Sequence, residues 1–188
     1  MTKLVLASAS PRRQQLLAQI GVTPDTISPA DIDETPNADE RPRPYVLRMA
    51  LEKGHAVHAS GQFTLAGDTV VAVGRRILPK AETPEDVEMC LNLLSGRAHN
   101  VLTAICVLSP AGQVAHRISQ TRVLVKRMTP KEIADYIASK DGLGKAGGYA
   151  IQGPFGRYIK HISGSYPGVM GLPVFETAQL LSGLGYRL

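Results

Sequence analysis

Apolar positions along the chain follow two spacings, one typical of strands and one typical of helices. Nearly continuous apolar runs predict buried strands at residues 4–7 and 64–73, and two further runs predict long strands at 100–108 and 114–125. Helical spacing or a cap sequence predicts helices at 12–20, 45–60, 84–94, 130–139 and 174–184. The stretch from 140 to 173 is predicted as Gly-rich strand and loop. Hairpin turns after residues 73 and 108 imply antiparallel pairing, so the predicted class is α/β with a mixed sheet.

Cap residues mark several helix ends. Ser10 is a predicted N-cap, Pro11 follows at the position where its missing N–H costs nothing, and Gly21 is the predicted stop. Thr83 and Thr129 each precede a proline and acidic residues, which is typical of a capped helix start.

The segment from Ser28 to Pro44 holds four of the 13 prolines and many acidic residues. This composition predicts an exposed loop, which is a candidate for closing over a cleft.

Length and composition indicate a cytoplasmic protein with one domain. With 188 residues, 44% of them hydrophobic, the chain can bury its own core, so we expect a single domain over residues 1–188, or two small lobes that share a core. Cys90 and Cys106 lack CxxC spacing and are predicted to be buried thiols, which argues against zinc and redox sites. The apolar run before Ser8 is too short for a signal peptide or a membrane span, so no membrane partner is expected.

The net charge of +5 and the pI of about 9.4 suit a polyanionic partner. Nucleic acid is one such partner, but the basic residues are dispersed and few aromatics lie among them, which argues against a nucleic-acid surface. A small anionic molecule therefore remains the expected ligand, and the adjacent Arg12 and Arg13 are one place to hold it.

Asp68 interrupts an otherwise apolar predicted strand. A carboxylate in such a place must be paired, hydrogen-bonded or bound to a metal. It is therefore a candidate general base or Mg²⁺ ligand. A salt bridge to a buried Lys or Arg, or capping of a turn at a strand end, is the structural alternative.

Known catalytic motifs are missing from the sequence, which contains no GxxxxGK[ST], no GxGxxG after a strand and no GxSxG. By elimination the chemistry is electrostatic, with cations holding an anion and carboxylates holding a metal or activating water, as in phosphoryl-type hydrolysis. Lys53, Lys80 and Lys145 are candidate cations, although each alone is more often a surface charge. His99 has no partner at metal-site spacing and is expected to make a structural hydrogen bond.

Six ordered motifs between Leu4 and Leu181 resemble the Maf family of nucleoside triphosphate pyrophosphatases. They are LASASPRRQQLL, AGDTVV, ILPKAET, LSGRAHNVLTAI, KAGGYAIQG and GSYPGVMGLP. The resemblance implies hydrolysis of a nucleoside triphosphate between the α and β phosphates, in house-cleaning of nucleotide pools. It also implies a divalent cation, usually Mg²⁺ with Mn²⁺ or Co²⁺ as alternatives, and a homodimer. The implied fold is an elongated mixed β-sheet with flanking helices that form two lobes around a central cleft.

The resemblance also implies roles for particular residues. Asp68 is expected to be the catalytic proton acceptor and a metal ligand, and Glu34 a second metal ligand. The phosphate end of the cleft is expected to be lined by Ser8, Arg13, Lys53 and Lys80.

Arg12, Thr69 and Gln152 match members of the family that act on dTTP and UTP. Members that act on 7-methyl-GTP commonly have Trp in place of Arg12 and Glu in place of Gln152. The amide of Gln152 offers a donor and an acceptor to a uracil or thymine edge, and Arg12 can donate to a base carbonyl. Another base, 7-methyl-GTP included, and a regulatory role in septum formation are the alternatives.

Overall fold

The computed structural model describes residues 2–188, which form nine strands and six α-helices. The strands are β1 Leu4–Leu6, β2 Thr26–Ile27, β3 Phe63–Val73, β4 Arg76–Leu78, β5 Lys80–Ala81, β6 Ala98–Leu108, β7 Val114–Val125, β8 Lys145–Ala146 and β9 Ile159–Ser163. The helices are α1 Pro11–Gln19, α2 Pro42–Val57, α3 Pro84–Leu94, α4 Pro130–Ala138, α5 Tyr166–Met170 and α6 Val174–Gly183.

One mixed sheet organises the described residues. Its strand order is β2-β1-β3-β6-β7-β9, with β4 paired to β3 beside this path. The pairs β2–β1 and β1–β3 are parallel, and the pairs of β3 with β4 and β6, β6 with β7, and β7 with β9 are antiparallel. A separate antiparallel pair joins β5 to β8. The predicted α/β class with a mixed sheet is confirmed.

Helices α3 and α4 begin with the side-chain caps that the sequence predicts. Thr83 Oγ1 accepts a hydrogen bond from the backbone N–H of Asp86, and Thr129 Oγ1 accepts one from Glu132, each within a complete capping box. Ser10 is the N-cap of α1, but its side chain makes no cap hydrogen bond. Gly21 has a φ of 73°, the left-handed conformation expected of a glycine that ends a helix.

Several segments differ from the prediction: the short strands β2 and β5 were not predicted, β6 begins two residues early, and two larger differences follow. Helix α2 begins at Pro42 rather than Tyr45 and ends at Val57 rather than Ser60. The earlier start is possible because the prolines lie in the first turn, where a helix tolerates them. Between residues 140 and 173 the chain adds a 3₁₀ turn over Pro154–Tyr158 and the short helix α5. Both elements have five residues, which is too short to show helical spacing of apolar positions, so neither was predicted from the sequence.

The long strands β3 and β6 contribute to different apolar clusters at their two ends. Leu65 and Ile105 belong to a cluster with α1 and α6, whereas Val71 and Val101 belong to a cluster with α3 and α4. A third cluster joins α2 to the other face of the same strands. Cys90, in the cluster with α3 and α4, and Cys106, in a fourth cluster with Ala66 and Leu108, are fully buried, as predicted. None of the helices in residues 2–188 combines the length and apolarity needed to cross a membrane.

Candidate active site

The candidate site lies at a gap in the sheet beside β3. One edge of β3 is paired with β6 along almost its whole length. The opposite edge is paired with β1 only at residues 63–65 and with β4 only at residues 71–73. Residues 66–70 are therefore open on that edge, and Asp68 lies at the centre of the gap.

A cleft of about 1080 Å³ opens at this gap and brings together every residue that the sequence predicts for the site. Those residues are Ser8, Arg12, Arg13, Glu34, Lys53, Asp68, Thr69, Lys80 and Gln152. They come from the β1–α1 connection, the first turn of α1, the loop before α2, α2 itself, β3, β5 and the segment after β8. Their separation along the chain means that the fold, and not local sequence, assembles the cleft.

Asp68, Lys53 and Glu34 form a charged triad in the cleft. Lys53 Nζ, from α2, lies 2.7 Å from Asp68 Oδ1 and 2.9 Å from Glu34 Oε1. Asp68 and Lys53 are only 8% and 9% exposed, whereas the Glu34 side chain is 55% exposed. The salt bridge that the sequence left open for Asp68 is therefore present. It uses Oδ1, and Oδ2 has no hydrogen-bond partner among residues 2–188.

The two carboxylates of this triad are oxygen donors of the kind that Mg²⁺ prefers. No group of three or more His, Cys, Asp or Glu side chains within residues 2–188 is arranged to hold a metal. Mg²⁺ commonly binds through one or two carboxylates together with substrate phosphates and water, and does not need a complete protein cage. Glu34 and Asp68 thus fit a cation that is bound jointly with a phosphate ligand.

Arg13 crosslinks the wall of the cleft. Its Nε donates to the carbonyl of Gly171 at 2.8 Å, Nη1 donates to Ser8 Oγ at 2.9 Å, and Nη2 donates to Thr69 Oγ1 at 3.4 Å. Burial lowers the pKa of the Arg13 guanidinium, and the nearby Asp68 carboxylate opposes that shift. The side chain therefore fixes Ser8 and Thr69, in addition to placing a cation beside the cleft.

Arg12 differs from its neighbour in its hydrogen bonding. Its Nε is buried and has no hydrogen-bond partner in the described structure. Gln152, which is exposed, lines the same cleft. Arg12 also lines the cleft and its side chain makes no hydrogen bond within residues 2–188, so its guanidinium is available to a ligand, whereas the donors of Arg13 already bind protein groups.

The pairing of β5 with β8 brings a lysine of each strand into the cleft. Lys80 lies opposite Ala146, and Lys145 lies opposite Ala81. Lys80 is exposed and lies 3.4 Å from Glu82, whereas Lys145 Nζ donates to two backbone carbonyls within the 141–143 turn. Both lysines line the cleft. The sequence motif flagged Lys145 as a candidate cation without placing it in the site.

Two tyrosines in the cleft wall have no distinguishing signal in the sequence. The hydroxyl of Tyr45 donates to the backbone carbonyl of Glu34 at 2.8 Å, and burial near Asp68 and Glu34 raises its pKa to about 12. The hydroxyl of Tyr149 lies 2.8 Å from His99 Nε2. Burial lowers the pKa of His99 to about 4, so the ring is neutral and serves as a structural partner, as the sequence predicts.

Known proteins similar to this chain cover nearly all of it. The model of the Maf family, described as Maf-like protein, matches residues 3–184. A dTTP/UTP pyrophosphatase of Caulobacter vibrioides is 60% identical over 186 residues, covering 98% of this chain and 96% of that protein. A dTTP/UTP pyrophosphatase of Rhodospirillum rubrum is 54% identical over 186 residues, covering 98% and 89%. The structure of a HAM1 protein of Coxiella burnetii is similar with a TM-score of 0.51, and the match covers 97% of this chain and 100% of that one. At 16% sequence identity this similarity concerns the fold alone.

Proposed function

This chain belongs to the Maf family, and from that premise we propose that it hydrolyses dTTP and UTP to the monophosphate and pyrophosphate. The high identity to dTTP/UTP pyrophosphatases over almost the full length supports this activity. The single structural observation that carries the proposal is Asp68, a nearly buried carboxylate at the sheet gap. Lys53 holds one of its oxygens, and the other has no hydrogen-bond partner among residues 2–188.

Asp68 is the proton acceptor in the proposed reaction. Water in the cleft donates a hydrogen bond to Asp68 Oδ2 and attacks a phosphorus of the anhydride that links the α and β phosphates. The water proton passes to that oxygen, and the bond between the α and β phosphates breaks as pyrophosphate leaves. Lys53 holds Oδ1 so that the carboxylate keeps its orientation. General-base catalysis of this kind contributes roughly 10²- to 10⁴-fold to the rate.

Cationic side chains neutralise the triphosphate in this proposal. Lys80, exposed at the cleft, and Arg13, within the wall, are the candidate phosphate partners, with Ser8 beside Arg13 as a hydroxyl donor. A divalent cation, which we propose is Mg²⁺, would be held by Glu34 and Asp68 and would supply positive charge to the phosphate oxygens. Charge stabilisation by fixed groups is the main contribution a site of this composition can make.

The base is read by Arg12 and Gln152 in this proposal. The guanidinium of Arg12, which lines the cleft, can donate to a carbonyl of uracil or thymine. Gln152 lines the same cleft and supplies an amide with both a donor and an acceptor. Both pyrimidines present carbonyls and one N–H on the pairing edge, so these two side chains suit dTTP and UTP alike.

The test is pyrophosphate release from a panel of triphosphates with and without Mg²⁺. We expect release from dTTP and UTP above that from 7-methyl-GTP, and at least a 100-fold lower kcat in Asp68→Asn. Asp135→Asn, which removes an exposed carboxylate on α4, is the matched control and should keep full turnover. Near-normal turnover in a folded Asp68→Asn protein would exclude Asp68 as the base, and preference for another triphosphate would overturn the substrate assignment.

We also propose that the protein forms a homodimer and is located in the cytoplasm. Both follow from the sequence and its resemblance and are predictions about the assembled protein in the cell. Sedimentation velocity checks the dimer, and fractionation of cells checks the location.

A further inference from the structure

The loop between β2 and α2 carries Glu34 into the cleft without any regular structure of its own. Residues 28–41 contain no helix or strand, and most of them are exposed. Fixing each residue of such a loop costs about 1–2 kcal/mol of conformational entropy. Contacts elsewhere must therefore hold the loop where Glu34 reaches Lys53.

Arg48, on α2, makes the strongest of these contacts. Its Nε donates to Glu40 Oε1 at 2.9 Å and its Nη2 donates to Glu40 Oε2 at 2.6 Å, which is a two-pronged pair. Nη2 also donates to the backbone carbonyl of Thr35 at 3.1 Å. One guanidinium thus binds the loop both immediately after Glu34 and near its end.

Glu40 is the counterpart of Arg48 within the loop. Its side chain is only 9% exposed, and its Oε2 also accepts a hydrogen bond from the backbone N–H of Asn37 at 2.9 Å. The hydrogen bonds from Arg48 lower the pKa of Glu40 to about 2, so the carboxylate is ionised throughout the physiological range. The contacts of the Arg48–Glu40 ion pair therefore hold both ends of residues 35–40.

Side chains of helix α2 also bind the backbone carbonyls of Glu34 and of the next residue, Thr35. Tyr45 binds the carbonyl of Glu34 and Arg48 binds that of Thr35, and residues three apart lie on one face of a helix. Lys53, one and a half turns further along α2, binds the Glu34 side chain. Backbone and side chain of this loop segment are therefore held against a single helix.

We propose that Arg48 is a positioning residue: it holds the loop so that Glu34 stays at the Lys53–Asp68 pair before substrate arrives. Arg48 does not line the cleft, so it acts through Glu34 and not on the substrate. The kinetic part of this inference rests on the proposed function. The structural part, that Arg48 orders residues 35–40, does not depend on any activity.

Hydrogen exchange tests the structural part directly. In Arg48→Ala, the backbone amides of Asn37 and Glu40 should exchange at least tenfold faster than in the unmodified protein, because their local hydrogen bonds lose the charged anchor. Arg43→Ala removes an exposed arginine from the same helix and should leave both rates unchanged. Equal exchange in all three proteins would overturn the proposal.

A double-mutant cycle tests the route through Glu34. We expect Arg48→Ala to lower kcat/KM for UTP about tenfold in the unmodified protein, as loss of a supporting contact behind a site residue commonly does. In a Glu34→Ala background the same change should cost less than twofold, because there is no longer a carboxylate to position. An equal loss in both backgrounds would show a general structural effect and would overturn the proposal.

Conservative variants keep the test decisive if Arg48→Ala does not fold. Glu40→Gln preserves the shape of the loop partner but removes its charge, and it should accelerate exchange at Asn37 and repeat the non-additive kinetics with Glu34→Ala. Arg48→Lys retains the charge without the two-pronged geometry and should recover part of kcat/KM. If the unmodified protein releases no pyrophosphate from UTP, the proposed function fails, and hydrogen exchange still decides the role of Arg48.

Discussion

Replacing Lys53 with Met should destabilise the protein more than replacing its partner Asp68 with Asn. Met keeps most of the length of the lysine stem but removes the ammonium group that lies within 3 Å of two carboxylates. Asp68 would then be a nearly buried charge without its partner. Glu34 would lose the same cation, but its side chain is 55% exposed and water can solvate it.

The size of the effect follows from this asymmetry. Removing one partner of a buried ion pair costs about 3–5 kcal/mol, and because Asp68 lies at an open cleft the lower end, about 3 kcal/mol, applies to Lys53→Met. For a chain of this length that corresponds to a fall in Tm of about 6–12 °C. Asp68→Asn leaves Lys53 paired with Glu34, so its cost should be about 1 kcal/mol.

The double variant Lys53→Met/Asp68→Asn separates charge from packing. It leaves no unpaired charge on β3, so the free energy of unfolding should return to within about 1 kcal/mol of the unmodified protein. Urea unfolding followed by circular dichroism at pH 7.5 measures all four proteins on one scale. The reasoning is refuted if Lys53→Met is as stable as Asp68→Asn, or if the double variant is no more stable than Lys53→Met.

Two further predictions concern the pH dependence of stability and the choice of base. The pKa of His99 is about 4 in the folded protein and about 6.5 when unfolded. The unfolded chain therefore binds the proton first, and stability should fall by at most about 3 kcal/mol between pH 6.5 and pH 4. His99→Gln should lack this component in urea titrations at each pH, and an identical slope would exclude His99 as its source. Arg12→Trp combined with Gln152→Glu should shift pyrophosphate release away from dTTP and UTP, whereas an unchanged substrate profile would show that other residues read the base.

Elements fixed by local chemistry were predictable from the sequence. The capping boxes at Thr83 and Thr129, both limits of β7 and the end of β6 follow from neighbouring residues alone, whereas β6 begins two residues before the predicted start. Asp68 was recognisable because a single charge in an apolar run is visible without knowledge of the fold. The need for a partner was equally evident, since a buried carboxylate requires one.

The assembly of the cleft depends on pairings that no local pattern encodes. The gap beside Asp68 exists because two very short strands, β1 and β4, pair with the same edge of β3 and leave its middle uncovered. The identity of the Asp68 partner required the packing of α2 on β3, which brings Lys53 across from another element. Lys145 joined the site only through the register of β5 and β8, each two residues long.

Arg12 and Arg13 show how the structure refines a role that the sequence assigns. The sequence places Arg13 at a helix start as a phosphate ligand, yet all three of its donor nitrogens already bind protein groups. The contact of Nη2 with Thr69, at 3.4 Å, is the longest of the three and is the one that a phosphate oxygen would replace at least cost. Arg12 lines the cleft and its side chain makes no hydrogen bond in the described structure, so a ligand that binds its guanidinium breaks no existing hydrogen bond. The adjacent guanidiniums are therefore not interchangeable: Arg13 principally fixes the wall, and we propose that Arg12 donates to the ligand.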